Sequence, residues 1–183
     1  MSIQPEEAAS ALNNVENAGR QSARAYHYQK ASPHFFLWGA IWAVGYGATY
    51  AEVRDAVIWP ALVILGVLGS FWIGWRSGAK SSRAFAWRYA TTALAAFLFI
   101  EALLAILPPK SSSQVDALFP LLVALAYAIL GIWTGGTRIA WLGLALAALT
   151  VGAYFWLPQY FLLWMAAVGG GALILGGVWL RRV

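Results

Sequence analysis

One acidic residue, Glu101, lies inside a long apolar run, within Leu98-Phe99-Ile100-Glu101-Ala102-Leu103. It precedes Leu107 by six residues, which places it roughly 9 Å inside that end of a helix. A carboxylate at such a depth in a bilayer by default marks a functional site with a partner. It would bind a cation or cationic organic molecule, or exchange a proton. Arg54 and Lys110 are expected on the same side of the membrane. Aromatic faces would wall such a site, because they attract cations and tolerate apolar groups. Trp42 and Trp164, the two tryptophans expected to lie deepest, join Glu101 as ligand- or proton-binding candidates. The opposing reading is a hydrogen-bonded structural carboxyl that ties its helix to a neighbour.

The remaining chemical inventory is thin. His27 and His34 are seven residues apart at or before the first apolar run. A bis-imidazole haem needs histidines on facing helices within the membrane, and zinc needs further ligands that a chain with 0 Cys does not offer here. His34 opens Phe35-Phe36-Leu37-Trp38 and reads as an interfacial anchor. Ser81-Ser82 and Ser111-Ser112-Ser113 have no base placed beside them. There is no HExxH, no acidic pair inside an apolar run and no glycine-rich loop after a strand. No metal, no cofactor and no catalytic activity are expected.

The elements that position these residues follow from composition. Of 183 residues 61% are hydrophobic and 10% charged, against about 25% charged in soluble domains. A globule this small cannot bury that excess, so the chain reads as a membrane protein. Six apolar stretches are near the roughly 20 residues that a span requires: Phe35 to Ala51, Ala56 to Trp75, Phe85 to Leu107, Ala117 to Trp133, Ile139 to Leu157 and Tyr160 to Leu180. None shows the alternation of a membrane strand. The expected fold class is all-α: a polytopic protein with six transmembrane helices over 34–183, preceded by a cytoplasmic juxtamembrane helix over 1–33.

Charge sets the expected orientation. Of the 12 Lys and Arg residues, all but Arg54 and Lys110 fall on one side of this topology. The positive-inside rule then places both termini in the cytoplasm, in a membrane read as a bacterial inner membrane. The net charge of +5 needs no nucleic acid, because cations at inner helix ends face an anionic leaflet. About thirty polar residues precede the first apolar run, unlike a secretory signal.

Residues 4 to 31 read as a separate helix. Pro5, Glu6 and Glu7 suit its start, and Arg20, Arg24 and Lys30 its end. Leu12, Val15, Gly19, Ser22 and Tyr26 make a weakly apolar stripe. Arg20, Arg24 and His27, with Arg76, Lys80 and Arg83 of the basic connection, are the partner-binding candidates. The partners expected are the bilayer, a second copy or another membrane protein.

Repetition adds a topology. Trp59-Pro60, Phe119-Pro120 and Leu157-Pro158 stand at the starts of the even-numbered helices. Ile73-Gly74-Trp75-Arg76, Gly131-Ile132-Trp133 and Gly177-Val178-Trp179-Leu180-Arg181 stand near their ends. Three tandem hairpins, in parallel orientation, would produce this pattern. Helices in lipid associate through small residues, which makes Ala43, Gly47, Gly66, Ser70, Gly74, Gly78, Gly170 and Gly171 the packing candidates. The expected function is a non-enzymatic integral membrane protein that binds, regulates or helps assemble a partner. The alternative is a small transporter or channel using Glu101.

Overall fold

The computed structural model describes residues 5–53, 55–76 and 83–182, all of them in helices and short connections, with no strand among the described residues. Helix α1 spans Pro5–Tyr50, α2 Asp55–Arg76, α3 Arg83–Ile106, α4 Ser112–Thr134 and α5 Thr137–Trp156. The last element, α6, spans Pro158–Arg181. It opens with a 3-10 turn, becomes π-helical over Met165–Gly169, and finishes as α-helix over Gly170–Arg181. Four helices are long and apolar enough to cross a membrane: Val57–Arg76, Ser112–Thr134, Thr137–Trp156 and Pro158–Arg181. Helix α3 adds a shorter apolar segment, Leu94–Ile106. The Phe35–Ala51 run is helical as far as Tyr50, but Trp38, Trp42, Tyr46, Tyr50 and three glycines dilute its apolar character.

The surface helix and the first apolar run are not separate elements. Helix α1 is continuous for 46 residues, about 69 Å at helical rise, and passes through Pro33. Proline removes one backbone hydrogen bond and ordinarily kinks or breaks a helix. Here Tyr28, Ser32 and Phe35 are buried on both sides of it, so tertiary packing holds the helix together across the lost bond. Beyond Tyr50 the chain reverses with Glu52 in the left-handed region at φ 59°. The Val53 N–H donates to Ala48 O at 3.0 Å, a closing bond usually built on glycine.

The second half of α1 is the pillar of the bundle, with α6 packed along one side and α2 on another. Helix α4 packs mainly on α5, to which Gly135 and Gly136 join it, with Gly135 at φ 67°. Helix α6 packs more extensively on α1 than on α5, and α3 makes no extensive contact with α4 among the described residues. The dominant pairings thus cross the boundaries of the expected hairpins: short connections fix which helices are neighbours in sequence, but close-packed small residues decide which ones meet.

Glycine placement shows this directly. A Cβ on Gly143 would lie 2.5 Å from Ala124 O and 2.6 Å from Ala128 N, and one on Gly131 would strike the Ala140 backbone. A Cβ on Gly170 would lie 2.8 Å from Gly39 O and 3.0 Å from Ala43 N, so Ala43 and Gly170 do mark the α1–α6 crossing. Gly66 meets Ile41 and Trp38 of α1, and Ser70 accepts a hydrogen bond from Trp38 Nε1 at 3.3 Å. Gly47, Gly74 and Gly171 correct the expected ridges, since nothing lies within 4 Å of a Cβ at any of them. The reason is helical pitch: each four-residue step turns about 40° round a 3.6-residue helix, so Gly74 has rotated off the α1 contact begun at Gly66. Gly78 lies outside the described residues.

Candidate functional site

Glu101 is exposed on α3, within the apolar segment Leu94–Ile106. Leu94, Phe97, Leu98 and Phe99 around it are exposed as well. Trp42, by contrast, is buried in the bundle core, edge-on to Tyr46 at 6.0 Å. Tyr46 continues edge-on to Trp59 at 5.0 Å, and its hydroxyl donates to Asp116 O at 2.8 Å. Trp59 Nε1 donates to Thr49 Oγ1 at 3.1 Å. This aromatic column welds α1 to α2 and to the start of α4. Trp42 is thus part of the packed core at this crossing.

Trp164 is half-buried on α6 beside the π-helical turn, and its buried Nε1 has no hydrogen-bond acceptor among the described residues. No ring contact joins it to Trp42 among those residues, and α3 makes no extensive contact with either of their helices. No extensive contact among the described residues brings the three ligand candidates together. An open cavity of about 280 Å³ lies at the far end of the bundle, lined by Ser111, Ser113, Tyr154, Pro158 and Phe161.

Of the partner-binding candidates, Arg76 is exposed at the end of α2 with its guanidinium 5.3 Å from the Trp72 ring. Arg20, Arg24 and His27 fall on α1 and Arg83 opens α3; their side chains, and Lys80 entirely, lie outside the described residues. The stripe positions Leu12 and Val15 are each 70% exposed, so that part of α1 leaves an unpacked face.

A polar junction absent from the sequence reading closes the near end of the bundle, where α1, the α4–α5 turn and the end of α6 converge. Ser32 is fully buried; its Oγ donates to Gly177 O at 2.7 Å and accepts from Arg181 Nε at 3.0 Å. Arg181 also covers the Phe36 ring at 4.7 Å. Arg138, in the first turn of α5, donates from its guanidinium to Trp179 O at 2.8 Å and stacks over the Trp179 ring at 5.1 Å. The Arg138 backbone N–H donates to the Tyr28 hydroxyl at 3.4 Å.

One signal for this junction was present in the sequence. A cation in the first turn of a helix opposes the helix dipole, and Arg138 stands there just after the uncapping Gly135-Gly136. The structure gives the compensation: Arg138 serves the carboxyl end of α6, where a cation is favourable. No known protein family, curated protein or solved structure matches the chain.

Proposed function

We propose that the protein is a non-enzymatic integral membrane protein that binds a membrane partner or a second copy and so regulates or helps assemble a complex. The proposal includes six crossings with both termini in the cytoplasm of a bacterial inner membrane, for which the one-sided distribution of Lys and Arg is the support. It assigns α3 as the contact within the membrane, and the first half of α1 with the basic connection 76–88 as the contact outside it.

The observation that carries the reading is Glu101, exposed near the end of α3 on an element that packs on little of its own chain among the described residues. Ionisable groups in membrane segments almost always face a protein interior or a water-filled cavity and pair there. A neighbouring helix that presents a cation or hydrogen-bond donor at that depth meets the requirement. Purification in mild detergent, with the stoichiometry of co-purifying protein and of self-association quantified, tests it. Glu101→Leu should reduce the associated partner or second copy by tenfold or more, which corresponds to about 1.4 kcal/mol. Glu101→Gln, which keeps a hydrogen-bonding group, should reduce it less. Both variants should remain monodisperse, because α3 contributes little to the core. Full retention of the associated protein in Glu101→Leu would overturn the assignment.

The outer contact has its own test. Leu12→Glu with Val15→Glu places charge on the exposed stripe without touching the bundle. A partner that docks there should be lost, with the melting temperature of the protein unchanged.

The second reading, a small transporter or channel for a cationic or apolar molecule, draws on Trp164. Its buried indole N–H lies beside a π-helical turn, an irregularity frequent at functional sites. Organic-cation binding or flux that falls with Glu101→Gln, in a preparation without a stoichiometric partner, selects this reading over the first.

A further inference from the structure

We propose that the near-end junction of α1, α5 and α6 is a binding site for the phosphate of an anionic phospholipid, with Arg138 and Arg181 as its clamp and the Tyr28 hydroxyl as a third donor. This does not rest on the partner reading above. Both guanidinium groups are held in place by the protein yet are only partly used. Arg138 gives one bond, to Trp179 O, and Arg181 gives one, from Nε to Ser32 Oγ. A guanidinium carries five N–H donors, so each retains several. No carboxylate lies within ion-pair distance of either among the described residues, and the acceptors they do meet are neutral.

The third group points to the same ligand. Tyr28 is 6% exposed, and its oxygen accepts the Arg138 backbone N–H. Its own hydroxyl proton has no acceptor among the described residues. A buried hydroxyl without an acceptor is unfavourable, and it stands beside Arg138, whose guanidinium lies 5.9 Å from the Tyr28 ring. An anion with several acceptor oxygens beside Arg138 would accept the Tyr28 proton and the spare Arg138 donors, and Arg binds phosphate bidentately.

The surroundings select a lipid over a soluble phosphate. The junction sits at the ends of spans α4, α5 and α6, where polar headgroups lie. Trp133, Trp141 and Trp179 around it are exposed, as tryptophans at a membrane–water interface are. Exposed Leu175, one turn before Trp179 on α6, and Leu144 on α5 provide apolar surface for acyl chains.

Thermal melts of the full chain in mild detergent test the proposal, titrated with phosphatidylglycerol, phosphatidylcholine or inorganic phosphate. Phosphatidylglycerol should raise the melting temperature saturably, by about 5 °C. Phosphatidylcholine and inorganic phosphate should raise it far less at equal concentration. Arg138→Gln with Arg181→Gln should abolish the shift, and Tyr28→Phe should halve it or more. The shift within each variant is the readout, so a lower baseline does not obscure it. Where the Gln pair fails to fold, Arg138→Lys with Arg181→Lys keeps the charge but not the bidentate geometry, and should retain less than half of the shift. A full shift in the Gln or Lys pair, or equal protection by phosphatidylcholine or by inorganic phosphate, would overturn the proposal.

Discussion

Gly143→Leu is expected to abolish monodisperse folded protein in detergent, whereas Gly74→Leu leaves elution and melting unchanged. Both glycines stand in apolar helices, and both look like packing positions by spacing. Their surroundings differ completely. At Gly143 the first added carbon already lies 2.5 Å from Ala124 O and 2.6 Å from Ala128 N. Both obstacles are backbone, so no side chain can swing away to make room. Overpacking costs about 1–3 kcal/mol where side chains can adjust. Here α4 and α5 would have to separate along their length, while the two-residue Gly135-Gly136 turn ties their ends together. The loss is then several kcal/mol out of a typical 5–15. At Gly74 nothing lies within 4 Å, and a leucine there would face outward beside Phe71 and Trp75, both exposed. Fluorescence-detected size exclusion and a thermal melt of both variants decide the matter. Equal behaviour of the two would refute the packing assigned to α4 and α5.

Ser32→Val is the second large effect, an expected drop in melting temperature of about 5–10 °C. The substitution nearly preserves shape but removes an oxygen that serves two groups. Its Oγ donates to Gly177 O at 2.7 Å and accepts from Arg181 Nε at 3.0 Å. The buried Gly177 carbonyl loses a donor, at a cost of about 1–3 kcal/mol, and exposed Arg181 loses the acceptor that holds it in place. The crossing is also close, since a Cβ on Gly177 would lie 3.2 Å from Ser32 O and 3.2 Å from the Phe36 ring. The extra methyl of valine has little space there. In a chain of this size each kcal/mol moves the midpoint by about 2–4 °C. Ser32→Ala, which removes the oxygen without adding bulk, should fall between wild type and Ser32→Val. An unchanged midpoint in both would mean that Arg181 finds an equivalent acceptor.

Ser32 illustrates a limit of reading along the chain. Between Ala31 and Pro33 it falls in the gap between the two elements expected from the sequence. Its partners lie 145 and 149 residues away, at distances that no local pattern reports. The same holds for Tyr28, which continues the polar-looking segment before the first apolar run yet packs against the α4–α5 turn. Local signals did locate Glu101, because an isolated carboxylate in an apolar run is visible without coordinates. They also located Gly66, Ser70, Ala43 and Gly170 at helix crossings. They overextended to Gly47, Gly74 and Gly171, because four-residue spacing names a ridge without saying how far along it the neighbouring helix follows.

The sequence by itself determined that this is a helical membrane protein, where four of its apolar helices begin and end to within a few residues, and that Glu101 is the isolated acid in an apolar run. Those properties depend on solvent preference and backbone satisfaction, which act residue by residue. Tertiary structure alone decided that α1 runs unbroken through Pro33, that α4 packs mainly on α5, that α3 leaves Glu101 exposed, and that Arg138 and Ser32 both bond the last turns of α6. In a bilayer every outward face is equally apolar, so hydropathy cannot distinguish a helix face that meets protein from one that meets lipid. Backbone approach at a few glycines and a few buried hydrogen bonds make that choice, and these exist only once the helices are assembled.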